Sequence, residues 1–373
     1  MRFTLSSTKL LQQMQAISRI IASKNSLKIL ESVLFNINGN TLELTASDGE
    51  TTICTRMEVD GQGEGKVAFE AKRLLDTLKE FPEQPLVFDI NDQNFELNIQ
   101  SSNGQYSLVG INGSEYPQMA PQLENVHTFF IAAPTLLSAL NKTVFCTADD
   151  ELRPVMNGVF FDLMTDKITL VATDAHRLVR YINTTSHTEE PANFILPKKP
   201  ANLLRAVLQK EEGDVTITFT DKNVRFEFGQ TVVICRQIEG RFPNYNAVIP
   251  QNNQNKIVVD RQTIFNAARR VKVFANPGTG LIKLALTENQ INLSAQDIDF
   301  STSADETISC SYDGVPMNIG FKAPFLEEIL GAIESEQVVI ELADPSKAGL
   351  ILPFDNSENE SIVMLLMPML LNE

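Results

Sequence analysis

TLELTASD at residues 41–48, KITLVATD at 167–174 and QINLSAQD at 290–297 are one short strand pattern written three times. Each ends in an alanine, a small or polar residue and an aspartate, and Asp48, Asp174 and Asp297 stand 126 and 123 residues apart. A period of that length is far beyond the 20–50 residues of a solenoid repeat, so the repeating object is a whole domain. Outward from these strands the copies keep agreeing. Each is preceded by a strand-then-helix segment, at 3–20, 130–145 and 258–274, and followed by a second one, at 66–81, 193–209 and 318–333. The helices carry apolar residues at three- and four-residue steps, such as Leu10, Leu11, Met14 and Ile17 or Leu203, Leu204, Val207 and Leu208. Pro134, Pro200 and Pro324 fall just inside helix starts, where a missing N–H leaves no bond unmade. Alternating runs at 86–111 and 215–240 read as successive hairpins.

The reading is an α+β chain of three tandem domains, each built from two β-α-β-β-β units. The domains run 1–125 (N-terminal), 126–252 (central) and 253–373 (C-terminal), with joints in the polar stretches near 118–127 and 250–255. Like domains joined head to tail curve, and an arc whose free ends fit each other closes as a dimer.

Composition narrows the function. With 373 residues, 43% hydrophobic and 21% charged, the chain has the profile of a globular protein, and no apolar run reaches the length of a membrane span. The N-terminus lacks a basic region followed by an apolar stretch, so a cytoplasmic location and no membrane partner are expected. Cys54, Cys146, Cys235 and Cys310 are scattered singly and read as reduced thiols buried in strands; with three histidines in all, no metal site and no cofactor are expected. The net charge of −16 hides a bias: the helical windows 6–20, 70–80, 133–146, 197–210, 260–274 and 322–334 hold 15 Lys and Arg against 7 Asp and Glu. The rest of the chain holds 16 and 40, so helices sharing one face would form a basic surface on an acidic body. The last window, with Glu327, Glu328 and Glu334, is the exception. Without interleaved aromatics or a finger or helix-turn-helix signature, such a surface would touch phosphates and read no sequence.

ATDAHRL at 172–178 is the densest polar stretch. An acid–base or metal pair of Asp174 and His176 would be confined to one of three homologous units, since the other copies read SDGE and QDID. Three aspartates closing strand-end turns by accepting backbone N–H groups is the simpler account. No phosphate loop, GxSxG or HExxH occurs, so nothing marks the chain as an enzyme. EGRFPNY at 239–245 and MPML at 367–370 pair turns and packed rings with an apolar, methionine-rich tail suited to a surface that meets several partners.

Taken together, ATDAHRL, EGRFPNY and MPML on a threefold repeat of this length resemble the bacterial DNA polymerase III beta subunit family, the sliding clamps, over the whole chain. The resemblance implies a head-to-tail homodimer forming a six-domain ring, with helices lining the hole and sheets outside. Such a ring encircles double-stranded DNA without sequence specificity, acts as a non-catalytic processivity factor, and needs no cofactor or metal. Its partners would be the polymerase III alpha subunit, the clamp loader and other proteins carrying a clamp-binding motif. Carried over by position, a hydrophobic peptide-binding cleft would comprise Met156, Thr173, Ala175, His176, Arg177, Leu178, Pro243, Val248, Ser346, Leu365, Met367, Pro368 and Met369. DNA-facing positions would be Lys24, Arg73, Lys198, Lys199 and Arg205, and the dimer contact would join Tyr106 to Val273 and Phe274. The chain departs from the family pattern at Ala175, where glycine is common, and at Leu370, where a basic residue is frequent. Asp149 and Asp150 replace a polar loop near DNA and would repel phosphate; Pro154 and Val155 alter the cleft edge. The rival reading is a three-domain interaction scaffold that does not act on DNA.

Overall fold

The structure, a computed structural model, describes residues 1–22, 27–117 and 126–371. Among the described residues six α-helices form where the periodicity places them: α1 (Ser7–Ile17), α2 (Ala71–Lys79), α3 (Ala133–Thr143), α4 (Lys198–Val207), α5 (Arg261–Lys272) and α6 (Ala323–Ala332). Their starts have local causes. The Ser6 hydroxyl accepts from Lys9 N–H at 3.2 Å to cap α1, the Asp260 carboxylate accepts from Thr263 N–H at 2.7 Å to cap α5, and Pro324 opens α6. The buried stripe of α1 is Leu10, Met14 and Ile17; that of α6 is Leu326, Ile329 and Leu330.

Each third of the chain runs strand, helix, three strands, strand, helix, three strands, the first third adding the short strands Asp60–Gln62 and Ile111–Asn112, and the antiparallel strands of the described residues gather into four sheets. The chain forms two compact units, Met1–Leu137 with Lys199–Gln237 and Ser138–Lys198 with Ile238–Glu373. In the first unit, sheet I has five strands in the order Asp60–Gln62, Arg2–Ser6, Pro85–Ile90, Glu96–Gln100, Gln105–Val109. Sheet II has nine: Ile111–Asn112, Glu64–Glu70, Ser32–Asn38, Thr41–Ser47, Thr51–Glu58, then Thr231–Arg236, Asn223–Phe228, Asp214–Phe219 and His127–Ala132. In the second unit, sheet III has eight: Ala192–Pro197, Gly158–Leu163, Ile168–Thr173, Arg177–Asn183, then Glu360–Leu366, Gly349–Pro353, Gln337–Leu342 and Asn255–Asp260. Sheet IV has four: Thr302–Ser309, Gln290–Asp297, Leu281–Thr287 and Met317–Lys322.

Sheets II and III are fusions. Thr231–Arg236 pairs with Thr51–Glu58, Val233 opposite Ile53, and Glu360–Leu366 pairs with Arg177–Asn183, Met364 opposite Val179. Each seam joins strands far apart in the chain through a continuous hydrogen-bond ladder.

The repeated aspartates do what the simple reading requires. Asp48 Oδ1 accepts from Glu50 and Thr51 N–H at 3.0 and 2.7 Å, Asp174 Oδ1 from His176 and Arg177 N–H at 2.9 and 3.0 Å, and Asp297 Oδ1 from Asp299 N–H at 3.1 Å. The cysteines are free thiols, and the expectation that all lie buried in strands needs correction. Cys235 is buried in a strand and Cys54 half-buried in one; Cys146 is buried in the helical turn after α3, and Cys310 follows the strand end at Ser309 half-buried. Burial, helped by the Glu43 charge, pushes the Cys54 thiol up to about 11.

Candidate functional sites: an apolar cleft and a set of cationic helices

The seam of sheet III carries an apolar floor. Leu178 lies directly opposite Leu365, and both pack with Val171, Ile195, Phe242, Ile249, Ala348 and Leu350 in one buried cluster. Phe242 stacks flat on Phe160, ring centres 4.7 Å apart, and Tyr245 leans against Phe160 while donating its hydroxyl to Asp162 at 2.6 Å. Burial first, and the Asp162 carboxylate second, push the Tyr245 phenol up to about 12. Val155 of the short helical turn Pro154–Met156 packs on the same floor, and Met156 holds that turn in place by accepting Ala148 N–H at 2.8 Å. Gly240, at φ +134, is required there: a Cβ would come within 2.7 Å of the Val155 side chain.

The rim is built from the predicted positions. Pro243 and Val248 are exposed beside buried Phe242 and Ile249, and Ser346 is exposed beside Ala348, its hydroxyl donated to Asp344 at 2.5 Å. Thr173 is buried, donates to Arg177 O at 2.7 Å and accepts Ala175 N–H at 3.1 Å, which fixes the turn that exposes Ala175 and His176. Ala175 sits at φ +74, the left-handed region that glycine Gly49 occupies at φ +94 in the first copy. The tail crosses this turn: Met367 N–H donates to His176 O and Met369 N–H to Gly320 O, both at 2.8 Å, so Pro368 spans from sheet III to sheet IV. Met369 is thereby fixed against sheet IV.

Arg177 is buried and holds the rim together. Its guanidinium donates to Asp174 Oδ2 at 3.0 Å, to Phe145 O at 2.8 Å and to Glu328, and lies over the rings of Phe325 and Phe145. Both Asp174 oxygens are thus engaged in holding the turn. The His176 ring faces Phe325 with centres 6.3 Å apart. Phe325 was not anticipated from sequence; its only signal is an aromatic residue next to the buried stripe of α6. The floor residues Val171, Ile195 and Leu350 were also missed, because each reads as ordinary strand interior, as was Ile249, a lone apolar residue in the loop before the joint at 250–255.

The counterpart seam in sheet II differs in chemistry. There Arg236 N–H donates to Glu50 O at 3.1 Å, as Met367 does to His176, but the two side chains form an ion pair at 3.5 Å. Leu30, Leu34, Ala68 and Tyr116 make a smaller cluster below.

Three of the cationic positions are ion-paired. Arg73 pairs with Glu70 at 3.4 Å, Lys198 with Asp149 and Lys199 with Asp48, whereas Arg205 donates to the neutral amide of Asn202 at 3.1 Å. Lys24 lies outside the described residues. Asp149, exposed, pairs with Lys198, and Asp150 pairs with Arg153 at 2.8 Å. The acidic exception, α6, has a use as well. Glu327 pairs with Arg269 at 3.4 Å and with Lys272, so α6 balances the α5 charge it packs against.

Tyr106, exposed on the edge strand Gln105–Val109, meets Phe81 edge-on at 5.1 Å beside a concavity of 610 Å³ that includes Arg73 and Thr77. Val273 and Phe274 stand exposed at the end of α5. Among the described residues no three His, Cys, Asp or Glu side chains are grouped to hold a metal ion, and no helix is long and apolar enough to cross a membrane.

Family models for the DNA polymerase III beta subunit match nearly all of the chain in order: the N-terminal domain at 1–120, the central domain at 131–244 and the C-terminal domain at 246–370. The chain belongs to the DNA polymerase III beta subunit family. It is 26% identical over 366 residues to the beta sliding clamp of Pseudomonas aeruginosa, covering 98% of this chain and 99% of that one. It is 25% identical over 377 residues to that of Staphylococcus aureus, covering 99% of each. Among solved structures, the P. aeruginosa sliding clamp bound to griselimycin superposes with a TM-score of 0.93 at 25% identity, and the Bartonella birtlesii clamp bound to griselimycin with 0.92 at 26%, each covering 100% of both chains. The Bacillus subtilis clamp, at 22% identity and a TM-score of 0.92, shares the fold. The fold is therefore three tandem clamp domains, and the function is that of a DNA sliding clamp, a non-catalytic processivity factor.

Proposed function

We propose that two copies of this chain, with domains at 1–125, 126–252 and 253–373, close head to tail into a ring around duplex DNA in the cytoplasm. The ring tethers the polymerase III alpha subunit, and in turn the clamp loader and other motif-bearing proteins, through the apolar cleft on the sheet III seam. The observation that carries the cleft is the packed floor at Leu178 and Leu365, rimmed by exposed His176, Pro243, Val248 and Met367. An extended peptide with apolar anchors suits such a surface, and its polar backbone would be oriented by the turn at Thr173–Arg177. Met156, Ala175, Ser346, Pro368 and Met369 complete the proposed rim.

Strand counts support the ring. Sheets II and III are each two half-sheets fused, whereas sheet I has five strands, sheet IV four, and each ends on an open edge, at Gln105–Val109 and Thr302–Ser309. One half-sheet from each of two copies makes nine strands, the size of sheet II. Tyr106 of one copy then meets Val273 and Phe274 of the next. Arg73, Lys198, Lys199 and Arg205, with Lys24, face the duplex through phosphate contacts. Their acidic neighbours keep those contacts weak, and weak contacts let a ring slide while topology retains it.

The test is retention by topology. The protein is placed by an active clamp loader on nicked circular plasmid, gel-filtered at moderate salt, and followed after the plasmid is cut. Retention on circles with loss from linear DNA is the expected result; equal behaviour on both forms would leave only a surface-binding scaffold.

A further inference from the structure

The three copies of the Asp-ended hairpin are unequal. Ser47–Thr52 and Thr173–Leu178 are the last pairs before their four-residue turns, but in the third copy Asp297 also pairs with Thr302, so the ladder runs one pair further before its own four-residue turn. The third hairpin is longer by two residues, and its tip alone carries large exposed apolar side chains: Ile298 is 79% and Phe300 75% exposed. The tip opens the edge strand Thr302–Ser309, the free edge of sheet IV. Isolated apolar surface of this kind beside an unpaired strand edge marks an interaction site.

Internal repetition fixes what the edge should meet. A row of paired residues crosses sheet II as Phe129, Ile217, Phe226, Val233, Ile53 and Ala46. The same row crosses sheet III as Ile257, Ile340, Ile351, Met364, Val179 and Ala172. Sheet I holds the first four members, Phe3, Phe88, Ile99 and Tyr106, and stops at its edge. Sheet IV holds the last two, Ala304 and Ala295, and starts at its edge. Completing the row puts Tyr106 opposite Ala304 of a second copy, hence Ser107 opposite Ser303 and Leu108 opposite Thr302. One residue further on, Arg236 and Met367 reach over their turns to Glu50 O and His176 O. The matching residue of sheet I is Val109, which is 77% exposed.

We propose that the tip of the extended hairpin is an apolar clasp: Ile298 and Phe300 of one copy close over Val109 of the next, with Ser107 opposite Ser303. The inference rests on the ring reading and adds to it a register and a contact made by this turn alone. The three corresponding places then differ in kind, being an ion pair at Glu50 and Arg236, an open apolar cleft at His176 and Met367, and a closed apolar contact between copies.

Two measurements on the full chain test it. Sedimentation equilibrium compares the wild type with Ile298→Ser/Phe300→Ser, using peptide binding at the cleft as the control for folding. The dimer dissociation constant is expected to rise on the order of thirtyfold or more. Under mild oxidation, Ser107→Cys/Ser303→Cys is expected to cross-link copies, since directly opposed residues fall within disulfide reach, while the shifted pair Ser107→Cys/Asp305→Cys and the wild type do not. A dimer that cross-links only in the shifted pair, or whose affinity ignores Ile298 and Phe300, overturns the clasp and leaves the ring. A wild-type chain that stays monomeric and cross-links in no pair removes the ring and the clasp together.

Discussion

The guanidinium carbon of Arg177 lies 4.2 Å from the centre of the Phe325 ring, joining the strand-end turn after Thr173 to helix α6. The contact keeps Phe325 against His176 on the rim of the cleft. Phe325→Ala removes the ring and spares the ion pairs, so peptide affinity should fall by about tenfold with little change in the unfolding midpoint. Arg177→Met strands the Asp174 and Glu328 carboxylates and should lower both affinity and stability, the latter by about 3–5 kcal/mol. Fluorescence polarisation with a labelled polymerase-derived peptide, run beside urea denaturation, separates the two.

Ala175 occupies a left-handed conformation at φ +74 that its counterpart fills with Gly49. Ala175→Gly should therefore stabilise the chain by about 0.5–1 kcal/mol, a gain reduced by the larger entropy glycine loses on folding. Gly49→Ala should do the reverse through backbone strain alone, because the nearest atom to its new Cβ, in Leu30, is an ordinary 3.9 Å away. Shifts of opposite sign in the urea midpoint are the readout.

Lys142 of α3 is buried with its ammonium 3.3 Å from Glu360 and 2.8 Å from the Ser138 hydroxyl, over the ring of Tyr181, whose hydroxyl also donates to Glu360. Lys142→Met leaves a largely buried carboxylate without its cation and should cost about 3–5 kcal/mol. The double variant Lys142→Met/Glu360→Gln should recover part of the loss, which a double-mutant cycle in urea would measure.

Charge reversal at Lys198, Lys199 and Arg205 should shorten the residence of the loaded ring on circular DNA and leave cleft peptide affinity unchanged. Lys199→Glu should be the most harmful single change, since it sets a carboxylate beside Asp48, now the partner of Lys199. Filter retention over a salt series reads the effect, which should shrink as salt screens the phosphates.

Alkaline pH should loosen the cleft. The Tyr245 phenol is raised from 10.0 to about 12 by burial and by Asp162. A group whose folded value is raised contributes stability in full below its unfolded value and loses it as pH climbs through the folded one, here between about 10 and 12. Tyr245→Phe should flatten the fall in melting temperature across that window.

The architecture was legible because it is written three times: a period of about 125 residues and six apolar helix stripes located every helix and the alternating runs. The seams were not. Nothing local in Thr51–Glu58 says that it will pair with Thr231–Arg236, because an edge strand and a fused strand share the same alternation. The turn and tail proposed as the rim of a cleft stand out in the sequence because they carry unusual residues. Its floor does not, since Val171, Ile195 and Leu350 differ in no way from core. The helix charge count exposed a real bias yet overstated the free positive charge, as ion-pair partners such as Asp48 for Lys199 lie 151 residues away in sequence.

Glu50 and Arg236 form an exposed ion pair at the first seam, where the second seam presents His176 and Met367. On the proposed reading the cleft then exists once per chain and twice in a closed pair of chains. Proteins that share the cleft would compete for these two places or sit as a couple, one on each half, so occupancy would set part of the order of events on DNA. Replacing the ion pair with apolar residues would add places and weaken that competition.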